Sequence, residues 1–127
     1  MAFPLSFFFS FLFVQLYRFC ETVDKAFSSS STEKVCCFST DHPHQRSNAA
    51  FLVASYLVIR YSLPPEEAFA PFLGNLPPLL AFRDAAFGLC TYQLTVLDCL
   101  RAVAAAIRHN ILDMSKYVLI YFFKGSF

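Results

Sequence analysis

The chain has 127 residues, enough for one domain and not for a comfortable second. Ten Lys and Arg against nine Asp and Glu give a formal net charge of +1, which offers nucleic acid no electrostatic footprint. Apolar residues make up 57% of the chain and Phe alone fills 17 positions, so core material is abundant and exposed apolar surface is expected unless a partner covers it.

Met1 to Val14 is mostly Phe, Leu and Ser, with one Pro and no charge. A secretory signal would need Lys or Arg ahead of the apolar run and a small-residue cleavage site soon after it. Neither is present, since Ala26-Phe27-Ser28 lies too far downstream. A membrane span is interrupted by Gln15 and Arg18. The expectation is a cytoplasmic or nuclear chain, with a small secreted or membrane-anchored protein as the alternative that these residues alone suggest. Leu16 to Phe27 then reads as a helix, with Leu16, Phe19, Cys20, Val23 and Phe27 on one face. Ser28 to Thr32 reads as a solvated serine linker.

Val35 to Phe38 is a short apolar run of strand type, Ser39 to Ser47 is polar and turn-forming, and Asn48 to Tyr61 is strongly helical. Ser47 or Asn48 is the expected N-cap. Strand, polar loop and helix N-terminus form the outline of a phosphate cradle, because loop and helix N–H groups converge on an anion. A cysteine-dependent phosphatase places there a Cys, five residues and an Arg: the thiolate attacks phosphorus and the Arg forks onto two phosphoryl oxygens. Counting back from Arg46 puts Thr40 in the nucleophile position, and no cysteine of this chain has an Arg six residues later. Thr40, Asp41, His42, Pro43, His44, Gln45 and Arg46 therefore read as a vestigial phosphate loop, without glycine and without a nucleophile. His42 and His44 near Cys36 and Cys37 suggest a metal, but adjacent strand residues face opposite ways and the spacing fits no common zinc pattern. The expectation is no metal and no cofactor. The five cysteines, odd in number, read as buried thiols of a reducing compartment.

The helix after Arg46 is expected to bury Ala49, Phe51, Leu52, Tyr56 and Ile59. Ser62-Leu63-Pro64 ends it, and Pro65 opens a further helix with Glu66 and Glu67 in its first turn. Pro71 should shorten or kink that helix. Gly74 to Pro78 reads as a turn and Leu79 to Gly88 as a buried connection carrying the charged pair Arg83–Asp84, assigned a structural role. Thr91 is the expected cap of a last helix running to Arg108, with Leu94, Leu97, Leu100, Ala104 and Ile107 as its core stripe, widened by Val96 and Val103, and Asn110 as its stop. Tyr117 to Phe123 is apolar, strand-like and too short to cross a bilayer.

Arg46-Ser-Asn-Ala-Ala-Phe-Leu, Pro65-Glu-Glu-Ala-Phe69, Phe82-Arg-Asp-Ala-Ala-Phe-Gly88 and Cys90-Thr-Tyr-Gln-Leu-Thr-Val-Leu-Asp-Cys-Leu100 occur in this order. Together they resemble the N-terminal, non-catalytic domain of the mitotic-exit (cell-division-cycle-fourteen) dual-specificity protein phosphatases, from about Leu16 to about Asp113, without the beginning of that domain. The resemblance implies an α/β fold: an incomplete dual-specificity-phosphatase-like domain, with a small sheet and three or four packed helices. It divides the chain into residues 1–15, a domain over 16–113 and a divergent tail over 114–127. It implies a scaffolding and substrate-groove role beside a catalytic phosphatase domain, in cis or in trans, and phosphoprotein substrates met through that domain. Asp41, Glu66 and Glu67 are the positions that would lend the family's acidic groove its charge. The family usually has Thr where this chain has Pro64, so a capping hydroxyl is missing.

Overall fold

In the computed structural model, residues 5–29, 34–74, 77–83, 89 and 93–114 are described, the side chains of 5–12 and of Arg83 excepted. In chain order the elements are α1 (Leu5–Ser29), α2 (Pro43–Tyr61), α3 (Pro65–Phe69), a 3-10 turn (Ala70–Phe72), β1 (Phe82–Arg83), β2 (Gln93–Leu94) and α4 (Val96–Arg108). The described part is mostly helical. Its one sheet is a pair of two-residue antiparallel strands, with Phe82 opposite Leu94 and Arg83 opposite Gln93.

Of the expected α/β arrangement, the small sheet is not shown among the described residues beyond this pair. Val35 to Phe38 is extended but is not a strand, and Cys36, Cys37 and Phe38 are exposed. An apolar run becomes a strand only when a neighbour supplies the ladder, and among the described residues none pairs with it. The core is built instead by helix packing. Leu16, Cys20 and Val23 of α1, Phe51, Ala54, Tyr56 and Val58 of α2, Ala68 of α3 and Val96, Leu100 and Val103 of α4 form one buried cluster, joined by Leu112 and Met114.

The helix at the serine linker runs further than its periodicity suggested. Between Leu5 and Ser29 there is no Gly or Pro, so nothing breaks α1 at Gln15. Ser28 and Ser29 donate side-chain hydrogen bonds back to the carbonyls of Asp24 and Ala26, which keeps them in its last turn.

α2 begins earlier than expected. Pro43 occupies the first turn, where a missing N–H costs nothing, and Arg46 N–H closes that turn on the His42 carbonyl at 3.0 Å. Ser47 and Asn48 are thus interior, not caps. Ser47 is buried and donates to the Leu80 carbonyl at 2.7 Å, tying the front of α2 to the connection before β1. Of the residues expected inside, Phe51 and Tyr56 are buried, while Ala49, Leu52 and Ile59 are half-buried. The other end is pinned to α1: Tyr56 Oη donates to Asp24 Oδ1 at 2.8 Å, and Arg60 Nη2 lies 2.6 Å from Asp24 Oδ2. Ser62 terminates α2 in the left-handed region, at φ +54°.

Pro71 has the foreseen effect, since α3 ends at Phe69 and tightens into the 3-10 turn that contains Pro71. α4 starts at Val96, and its cap is Thr95 rather than Thr91, which lies outside the described residues. Gln93 and Leu94 are committed to β2, so the helix cannot begin before them. Thr95 and Asp98 then form a reciprocal capping box, each side chain taking a 3.1 Å bond from the other's N–H. Val96, Leu100 and Val103 are the buried stripe, with Leu94, Leu97, Ala104 and Ile107 half-buried beside it. Asn110 adopts φ +58° just beyond the helix, as a stop residue does. The expected strand over Tyr117–Phe123 lies outside the described residues.

Candidate functional site

The segment before α2 and the first turn of that helix carry the residues singled out from the sequence. Thr40 is exposed, and its hydroxyl donates to Gln45 Oε1. Asp41, His42, Pro43, His44 and Gln45 are exposed as well, and Arg46 is half-buried. Because α2 opens at Pro43, this is not a nine-residue loop ending at a helix. It is a short extended lead followed by helix, with Arg46 in the first turn. The His42 and His44 rings sit 5.6 Å apart, centroid to centroid, in a tilted arrangement. His42 makes no side-chain cap. Among the described residues no group of three His, Cys, Asp or Glu side chains is placed to hold a metal.

This arrangement differs from that of a cysteine-dependent phosphatase loop. Such a loop wraps consecutive N–H groups around a phosphoryl group, with a thiolate below phosphorus. Here Pro43 removes a donor, Arg46 N–H is already bonded to His42, and the position six before Arg46 holds an alcohol whose proton is engaged with Gln45.

The three acidic positions differ in their freedom. Asp41 and Glu67 are exposed. Glu66 is taken: Arg101 Nε of α4 lies 3.0 Å from Glu66 Oε1, and Arg101 Nη1 lies 3.7 Å from Asp98. The Glu66 carboxyl is held below its usual range, first by its own backbone N–H and then by Arg101. Glu66 therefore ties α3 to α4 before it can lend charge to a groove. Arg83 stands in β1 opposite Gln93, while Asp84 lies outside the described residues.

Two open grooves flank the extended segment. One, of about 410 Å³, lies between α1 and α2 and is nearly all apolar, with Phe19, Val23 and Leu57 in its wall. The other, of about 390 Å³, is lined by Ser39, Arg46, Val53 and Leu79 among others. Val35 and Cys37 line both. Sequence reasoning treated Cys37 only as half of an unconvincing metal pair. No local signal showed that it shares a cavity with Arg46, nor that Asp24 is the anchor of Tyr56 and Arg60.

No helix among the described residues is long and apolar enough to cross a membrane. The model of the family described as dual specificity protein phosphatase, N-terminal half, matches residues 9–106. The match runs from α1 nearly to the end of α4. The dual specificity protein phosphatase CDC14A of Mus musculus is 41% identical over 105 residues, which cover 80% of this chain and 17% of that protein. Its Homo sapiens counterpart is 40% identical over 105 residues, covering 80% and 18%. The tyrosine-protein phosphatase CDC14 homolog of Schizosaccharomyces pombe is 33% identical over 86 residues, 68% of this chain and 16% of that protein. The chain thus spans less than a fifth of the length of these relatives. It belongs to the family formed by the N-terminal half of dual specificity protein phosphatases, of the CDC14 kind.

Proposed function

We propose that the chain is a non-catalytic module, spanning residues 16–113, that scaffolds a catalytic phosphatase domain and helps to shape its substrate groove. The substrates would be proteins phosphorylated on Ser/Thr-Pro sites or on Tyr in cell-cycle control, met only through that domain, in cis or in trans. The observation that carries the proposal is the front of α2. It has an extended lead, a helix start and Arg46 in the first turn, with Thr40 six residues before that Arg and Pro43 where an amide donor would stand. The family membership supports the same reading. Asp41 and Glu67 are the free carboxylates this module would contribute to an acidic groove, with Glu66 bound to Arg101.

The test measures kcat/KM on a phosphoserine–proline peptide with basic residues after the proline. The samples are a CDC14A catalytic half alone, the same half with this chain added or fused, and the chain by itself. The proposal expects no turnover from the chain alone and a lower KM when it is joined to the catalytic half. Turnover by the isolated chain, or an unchanged KM in both the mixture and the fusion, would overturn it.

A further inference from the structure

The apolar run at residues 35–38 has the backbone of a strand and no described strand beside it. It is extended, Cys36, Cys37 and Phe38 are exposed, and no backbone hydrogen bond joins it to another described segment. Such an edge is a template for strand addition. The ground beside it is apolar. Val35, Cys37 and Val53 line both grooves, so this segment and α2 together divide the two cavities.

The chain itself carries a strand former within reach. Residues 117–123, Tyr-Val-Leu-Ile-Tyr-Phe-Phe, form an unbroken apolar run between Lys116 and Lys124, rich in the types that favour strands. They lie outside the described residues, but their point of departure does not. Ile111 and Leu112 N–H both bond to the Ala106 carbonyl, which folds the chain back on α4. Leu112 and Met114 then enter the core cluster. Val23 and Tyr56 of that cluster, with Phe19, Leu57 and Leu63 packed against it, also line the groove between α1 and α2. Met114 therefore sits in the apolar body whose outer side is the groove. From Met114 to Phe123 an extended chain spans about 30 Å, against a radius of gyration of about 14 Å for a domain of this size. A segment tethered through Ser115 and Lys116 acts at an effective concentration of about 1 mM, which a second copy at ordinary protein concentrations does not match.

We propose that residues 117–123 add to residues 35–38 as a β-strand and lay one face into the apolar groove between α1 and α2. The ladder that residues 35–38 lack is then supplied in cis. Pairing satisfies the backbone of both segments, and the groove takes alternate side chains of the added strand. Leu73 and Ile111 line neither groove and stay exposed, so the apolar surface is reduced without being abolished.

Disulfide trapping in the full chain reads the pairing directly. Cys36→Ser leaves Cys37 as the reporter, and Val118→Cys, Leu119→Cys, Ile120→Cys and Tyr121→Cys are each combined with it. The chains are oxidised mildly over a range of protein concentrations, and bridges to Cys37 are identified by peptide mass. Bridging should occur within one chain, at a rate independent of concentration. It should be about fivefold or more faster at alternate positions, because successive strand residues face opposite ways. Equal rates at all four positions, or no bridge at any, would sink the proposal. Bridges formed only between chains would sink it too, and would assign the edge to a second copy. Hydrogen exchange supplies an independent reading. Amides of residues 36–38 should exchange about tenfold or more slower in the parent than in the double variant Leu119→Pro, Tyr121→Pro, whose tail cannot complete a ladder, while α4 stays equally protected in both. Equal exchange at residues 36–38 in the two chains, with α4 protected, would refute the pairing.

Discussion

Asp24 accepts the Tyr56 hydroxyl on one oxygen and Arg60 on the other, so its loss strands two donors of α2 at once. Tyr56 is buried, and an unmade hydrogen bond there costs about 1–3 kcal/mol. Arg60 and Asp24 are both more than a third exposed, and an ion pair in that setting contributes less than about 1 kcal/mol. Asp24→Ala should therefore destabilise the chain clearly more than Arg60→Ala does, as read by the urea midpoint. The Tyr56 phenol is pushed from 10.0 up to about 12, by burial first and then by its bond to Asp24. A proton held more tightly in the folded state stabilises below the unfolded value and is lost as pH rises through the folded one. Stability should thus fall between pH 10 and 12, and Tyr56→Phe should remove that part of the decline. Thr40→Cys should leave aryl-phosphate hydrolysis at the buffer rate, because Pro43 still withholds a donor and Arg46 N–H remains inside the helix. A trapped phosphocysteine in this variant would refute that.

Among the elements, α4 shows best where sequence patterns succeed and where they stop. Its end at Asn110 was legible from spacing alone, but of the expected central stripe only Leu100 is buried, beside Val96 and Val103 that were expected at its margin. Its start was not, because Thr91 and Thr95 are both capping residues and only the pairing of Gln93–Leu94 with β1 selects the second. The Asp three residues after Thr95 was the available signal. Thr95→Ala should cost about 1 kcal/mol, and Thr95→Ser much less, in matched thermal melts. The Asp98 carboxyl is held below its usual range, first by the Thr95 side chain and then by the Thr95 N–H. That help is present above the ordinary carboxylate range and fades as pH falls through the lowered value. The difference between the parent and Thr95→Ala should accordingly narrow in acid. At α2 the capping rule favoured Ser47 or Asn48, yet Pro43 opened the helix four residues before Ser47, and Ser47 went to Leu80 instead.

For the whole molecule, the apolar excess read from composition has a visible outcome. Phe38 is 91% exposed, Leu73, Ile111 and Tyr61 are exposed too, and the groove between α1 and α2 stands open. The chain alone should bind an apolar dye in its native state and self-associate on gel filtration as concentration rises. Monomeric elution with no dye binding would contradict this. Leu100, at 0% exposure, is a core position shared by the helices, and Leu100→Ala should cost about 2–5 kcal/mol in urea unfolding.

The sequence by itself determined the family, through the runs at 46–52, 65–69, 82–88 and 90–100, and that no cysteine of this sequence stands six residues before an Arg. It determined the helical core too, because a 3.6-residue period is written locally. Only the tertiary structure decided that Val35–Phe38 pairs with no other described segment, that Asp24 clasps α2, that Ser47 reaches Leu80 and that Cys37 and Arg46 line one groove. These are contacts between separate segments. Asp24 and Tyr56 are 32 residues apart and Ser47 and Leu80 are 33, far beyond the one or two turns over which a periodic pattern holds information. A strand, likewise, is a property of two segments and their shared hydrogen bonds, so no single run of residues can specify one.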